Sequence, residues 1–136
     1  MSHPVMFDAS DPHYVRLREI CLALPGAQEK IAHGRPNFFT RKVFAAFGGS
    51  LKGEHRSPVA RHSVLFLPDP SERAALLDDE RCFVPAYVGA AGWLGLSFHL
   101  IGGADLVDWD EVAELVDASY RLTAPARLVK ELDSRA

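Results

Sequence analysis

Residues 82–104, CFVPAYVGAAGWLGLSFHLIGGA, run for 23 positions without Asp, Glu, Lys or Arg. An uncharged stretch of that length is enough to cross a bilayer as a helix, so its reading decides the fold class. Pro85 and the glycines Gly89, Gly92, Gly95, Gly102 and Gly103 interrupt any such helix. The flanks agree: Asp78, Asp79 and Glu80 precede the stretch and Asp105 follows it, which supplies no positive side. The order Pro-Ala-Tyr-Val-Gly-Ala-Ala-Gly predicts extended chain, turn and strand. Residues 83–88 and 93–101 are therefore read as two extended segments joined through Gly89 and Gly92, and no membrane contact is expected.

Working outward, Asp108 is placed to cap a helix on which Trp109, Val112, Val116 and Tyr120 share one face. Asp110, Glu111, Glu114 and Asp117 stay on its outer side, and acids in a first turn suit the helix dipole. Pro125 opens a short terminal helix carrying Leu128, Val129 and Leu132. Upstream, Pro68-Asp69-Pro70-Ser71 introduces a short helix, capped by Asp69 or Ser71, whose apolar contribution is Leu76 and Leu77. Strands are expected at 28–33, 37–40, 43–47 and 63–67, with Gly34-Arg35-Pro36 as a turn and 50–61 as a polar loop or wing. At the start, Asp11 caps a helix that accepts Pro12 in its first turn and aligns Tyr14, Leu17, Cys21 and Leu24. Helices separated from a largely antiparallel sheet make a two-layer α+β domain, with the helices on one face, in the order helix, strands, helix, strands, helix.

The chain of 136 residues is one domain's worth, 1–136, and can bury roughly 68% of its unfolded surface. With 48% hydrophobic and 24% charged residues, disordered, collagen-like and disulfide-scaffold classes are excluded. Cys21 and Cys82 lack CxxC spacing and sit among apolar neighbours, as free buried thiols do. With no basic region and apolar run at the N-terminus, a reduced cytoplasmic protein is expected. The net charge of −3 hides a division. Residues 30–62 carry seven bases against Glu54, or +6, while the remainder carries eight bases and 17 acids, or −9.

Three passages together resemble the MmcQ/YjbR family of small bacterial proteins. They are Leu24-Pro25-Gly26-Ala27, the turn Gly34-x-Pro36-x-Phe38 leading to Arg41-Lys42-Val43-Phe44-Ala45, and above all Phe83-Val84-Pro85-Ala86-Tyr87-Val88-Gly89-Ala90-Ala91-Gly92-Trp93-Leu94-Gly95. The helix opening Trp109-Asp110-Glu111-Val112 and ending near Tyr120-Arg121-Leu122 is similar too. The resemblance implies a compact α+β domain and DNA binding. Two departures stand out: Arg41-Lys42 replaces a tight Gly-Lys turn, and a long insert at about 48–62 supplies three of the seven bases.

For nucleic acid, the candidates are Arg35, Arg41, Lys42, Lys52, Arg56 and Arg61, since phosphate neutralisation by such side chains dominates affinity. Six contacts predict a salt slope near −5. Arg41 and Lys42 are expected at a hairpin tip, and Phe38 and Phe39 on opposite faces, one of them open to base stacking. The same bases could instead keep a hairpin tip soluble and block edge pairing. The alternative class is a protein-interaction module using Tyr87, Trp93 and a sheet face; Trp93 could equally be a core anchor under the final helix. His33, His55 and His62 match no zinc spacing, so neither metal nor cofactor is expected. His99 reads as a satisfied sheet histidine. No GxSxG, HExxH or P-loop occurs, so an enzyme ranks a distant third.

Overall fold

The computed structural model describes residues 5–135. Its centre is a six-stranded antiparallel sheet formed by β1 (Gln28–Ala32), β2 (Arg35–Phe39), β3 (Val43–Phe47), β4 (Ser63–Phe66), β5 (Cys82–Phe83) and β6 (Leu94–Ser97). The strands lie in the order β1-β2-β3-β4-β6-β5. Six helices accompany them: α1 (Pro12–Leu22), α2 (Pro58–Arg61), α3 (Arg73–Leu77), α4 (Phe98–Ile101), α5 (Trp109–Thr123) and α6 (Ala126–Asp133). This is the α+β architecture expected. No helix is long and apolar enough to cross a membrane among the described residues.

The two long helices form where the capping chemistry put them. The Asp11 carboxylate accepts the His13 amide at 2.9 Å and Pro12 fills a first-turn position where no N–H is needed. Asp108 accepts the Glu111 amide at 3.1 Å. Tyr14, Leu17 and Cys21 of α1 and Val112, Val116 and Tyr120 of α5 are buried against Phe38, Phe47, Val64, Phe66, Leu94 and Leu96 of the sheet. The Tyr120 hydroxyl donates to the Pro25 carbonyl at 2.6 Å, fastening α5 to the end of α1.

One irregularity shapes the middle of the sheet. Phe38 pairs with Ala45 but Phe39 pairs with Val43, which leaves Phe44 as the extra residue of a bulge. The bulge turns both Phe44 and Ala45 into the core, where the Phe44 ring meets Tyr120 edge-on at 5.3 Å. The Ser119 hydroxyl donates to the Phe44 carbonyl at 2.6 Å and accepts the Leu67 amide at 2.9 Å, so one side chain of α5 holds both β3 and the exit of β4.

The structure departs from expectation in five places. The first hairpin turns at His33-Gly34, and Arg35 and Pro36 belong to β2. Both turn residues have positive φ, 54° and 79°, as a two-residue hairpin loop of the twist-matching kind requires. The extended segments of the uncharged stretch shrink to β5 and β6, with a 3-10 turn at Val88–Ala91 between them. His99 is exposed on α4 rather than in a strand, because Ser97 caps the Leu100 amide and ends β6. The loop at 50–61 contains α2. Asp69 closes a local turn on Ser71 and α3 begins only at Arg73, with Leu77 exposed. Cys21 and Cys82 are both free thiols, Cys21 buried and Cys82 half-buried.

Arg81 joins the approach to β5 to α5 by hydrogen-bonding the Asp79 and Glu111 carboxylates, at 2.7 and 2.8 Å in its shortest contacts. The Arg81 side chain holds the Asp79 pKa below its ordinary 3.8, against the opposing effect of burial. A carboxyl whose folded pKa is depressed contributes stability that is present above its unfolded pKa and lost as pH falls through the folded value. Urea unfolding is therefore expected to show a stability loss as pH drops below about 4. Arg81→Met should flatten that dependence; an unchanged pH profile in the variant would remove Asp79 from the account.

Candidate functional site

Beside the N-terminus of α1 the chain encloses an open cleft of about 450 Å³, whose lining includes Phe7, Phe47, Asp11, His62, Arg56 and Arg61. The insert after β3 builds one wall, since Arg56, Arg61 and His62 all belong to it. Asp11 stands at the back with its side chain only 11% exposed. One of its oxygens bonds His62 Nε2 and the other accepts the His13 amide. Burial acts to raise the Asp11 pKa, but the hydrogen bonds from His62 and the His13 amide and the two imidazole charges outweigh it, so the carboxyl stays below its usual range. His13 stacks on buried Phe98 at 5.1 Å. Its Nε2 donates to the Gly102 carbonyl at 2.8 Å.

A second hollow of about 610 Å³ lies on the sheet face away from α1 and α5. Arg35, Asn37, Ala46 and Leu65 form its floor, and His55 and Tyr87 stand at its edge. The two hollows meet where the chain crosses from β3 into the insert. Gly48 passes there with φ +88°, and a Cβ on it would come within 2.8 Å of the Arg61 carbonyl and 3.3 Å of Arg35 Cδ. Only glycine lets the backbone run between these two arginines. Arg35 is half-buried, and burial, followed by the nearby Arg61 charge, lowers its pKa from the ordinary value.

Of the six cationic candidates, the structure brings Arg35, Arg56 and Arg61 together across the two hollows. Lys52 is exposed in the turn closed by the Leu51–Glu54 bridge. Arg41 and Lys42 occupy the β2–β3 tip, at the other end of the hairpin from Arg35, about 20 Å away at strand rise. Arg41 there shares a third hollow with Arg127 of α6. None of the six makes an ion pair among the described residues, whereas Arg16, Arg18, Arg81 and Arg121 all do.

The aromatic candidates divide. Phe38 lies in the core, while Phe39 lies half-buried on the opposite face with the Lys30 ammonium 4.8 Å from its ring centre. Trp93 is half-buried and outside the core cluster rather than an anchor under α5, while Trp109, the first residue of α5, packs against Phe98. Tyr87 is 81% exposed, stacked 6.2 Å from His55. It sits at φ +66°, ψ −72°, and the Val88 amide bonds the Ala86 carbonyl across it at 2.8 Å. That is the strained form of the three-residue γ-turn.

Sequence spacing could not have found the Asp11–His62 pair, because 51 positions separate the two residues. The readable signal was Asp-x-His at a helix start, which was absorbed into the cap.

Residues 22–122 match the YjbR family. The chain belongs to the YjbR family. No curated protein matches it. The matched span of this YjbR chain takes in the whole sheet, the cationic insert, His62 and most of α5, and it begins after Asp11 and His13.

Proposed function

We propose that this YjbR protein is a non-catalytic DNA-binding domain whose binding is weak and salt-sensitive, centred on Arg35, Arg56 and Arg61, with Lys52, exposed in the same insert, as a fourth contact. The carrying observation is that Arg35, half-buried, lies within reach of the Arg61 charge and that neither is paired to a carboxylate among the described residues. Two like charges held together without an internal counter-ion favour an external anion, and DNA offers a row of them. The outward acids of α5, Asp110, Glu114 and Asp117, belong to the helix layer, and of the two acids in the cleft with Arg56 and Arg61, Asp8 and Asp11, the second is turned onto His62 and the His13 amide. Arg41 and Lys42, about 20 Å along the hairpin, lie outside this group.

Fluorescence anisotropy with a labelled duplex tests this. Four contacts predict a log–log salt slope near −3.6. Absence of binding at low salt, with DNA and RNA both tried, overturns the reading.

A second reading, a protein-interaction surface around Tyr87, is favoured by that residue's exposure and strain. Backbone strain of this kind costs about 1–3 kcal/mol and is kept where function uses it. Tyr87→Gly is expected to raise the urea midpoint by an amount equivalent to about 1 kcal/mol, and Tyr87→Ala to leave it nearly unchanged. Loss of a pull-down partner in a stable Tyr87→Ala variant would support the interaction surface, and a large fall in Tm would remove it.

A further inference from the structure

The first turn of α1 carries a cluster that DNA binding does not use. Asp11, His13 and His62 bring one carboxylate oxygen and two imidazole nitrogens within 4.8 Å of one another. The Gly102 carbonyl beside His13 Nε2 can only accept, so the proton of the neutral ring sits on Nε2. With Nε2 engaged by that carbonyl, Nδ1 is the ring nitrogen left for a metal, and it lies 3.3 Å from Asp11 Oδ1. A metal ion held between these two atoms would take a lone pair from each. His62 offers Nε2 to the other oxygen of the same carboxylate from the open side of the cleft.

We propose that Asp11, His13 and His62 bind a divalent transition-metal ion of the zinc class. Two imidazoles and one carboxylate are a donor set that suits zinc and its neighbours, whereas calcium and magnesium take oxygen ligands. The surroundings have the form such sites require. A metal-bound histidine commonly donates its other N–H to a backbone carbonyl, which fixes tautomer and orientation, and Gly102 does this for His13. Stacking on buried Phe98 holds the ring in place. Nitrogen ligands about 2.0–2.1 Å from zinc lie roughly 3.3 Å apart in a tetrahedron, so the 4.8 Å span must contract by about 1.5 Å. His62, 45% exposed, has room to swing and supply that movement. The fourth position opens into the cleft beside Arg56 and Arg61, where water or an anion completes the shell. The ion would pin the start of α1 to the entrance of β4.

The test uses the full chain, stripped with a chelator and titrated with zinc chloride, in parallel with cobalt(II) as a spectroscopic stand-in. One equivalent should bind, and Tm should rise by about 8 °C at a zinc concentration one hundred times Kd. Asp11→Asn keeps a good helix cap and His62→Gln alters a half-exposed side chain, so both should fold. Each should weaken zinc binding at least tenfold and abolish the visible cobalt band. Binding that is equally tight in both variants would move the metal to other imidazoles and overturn the proposal. So would an unchanged Tm of the wild-type protein in millimolar zinc. The titration contains no nucleic acid, so its failure leaves the DNA reading standing.

Discussion

The Arg35→Ala/Arg61→Ala double variant is expected to lose about half of the salt dependence of DNA binding. Raising salt from 50 to 200 mM should weaken the wild-type protein about 150-fold at a slope near −3.6, and the variant about 12-fold at a slope near −1.8. The same variant should be at least as stable as the wild type. Arg35 is half-buried and disfavoured there by desolvation and by the Arg61 charge, so removing the pair relieves an unfavourable contact. That combination separates a binding site from a structural element: residues kept for the fold lower Tm when truncated, whereas residues kept for a ligand often do not. A double variant with a lowered Tm and an unchanged salt slope would assign the two arginines to the fold. Arg41→Ala/Lys42→Ala, at the far end of the hairpin and outside the four counted contacts, should leave the slope near −3.6.

Ser119→Ala should be the costliest small change in the molecule. Ser119 is fully buried, and its hydroxyl both donates to the Phe44 carbonyl and accepts the Leu67 amide. Alanine removes the hydroxyl with both its bonds and leaves two backbone groups unpaired, each worth about 1–3 kcal/mol when buried. A loss of about 2–4 kcal/mol is expected, seen as a fall in Tm of roughly 6–14 °C. Ser119→Thr or Ser119→Cys would overpack the same spot and does not isolate the hydroxyl. A loss below about 1 kcal/mol for Ser119→Ala would mean that water replaces the hydroxyl and that the bulge is held by Phe44 packing alone.

How far the sequence could be read depended on whether the deciding contacts were local. Asp11, Asp108 and Pro12 act within one helical turn, and both long helices were legible to within a residue or two. Short apolar runs bounded by turn residues identified β3 and β4 for the same reason. The turn at His33-Gly34 was misplaced because Pro36 reads as a breaker, although in β2 it occupies a position facing Ile31 across the hairpin. Residues 98–101 were read as strand because Phe98, Leu100 and Ile101 are apolar, while the Ser97 side chain that starts a helix there bonds only one amide, that of Leu100. Six cationic candidates were named by composition, and the fold gathered three of them. Proximity between Arg35 in β2 and Arg61 in the insert depends on the path at Gly48, which no local pattern encodes. The Asp11–His13–His62 cluster was out of reach altogether, since its members come from the first helix and the end of the insert.

The bond from Tyr120 to the Pro25 carbonyl spans 95 positions, and its consequence is one of timing. The layer that covers the sheet comes from both sides of it in the chain, α1 before β1 and α5 after β6. When β4 ends at Phe66, the sheet has acquired its central apolar face, but α5 does not end until Thr123. At synthesis rates of about 5–20 residues per second, the nascent chain carries that face with only α1 against it for roughly 3–11 s. During this interval Phe44 lacks Tyr120, and the sheet face lacks Val112 and Val116 of α5. The nascent YjbR chain is therefore a stronger client for chaperones than the finished protein, and substitutions in α5 such as Ser119→Ala should reduce soluble yield more than their equilibrium cost predicts.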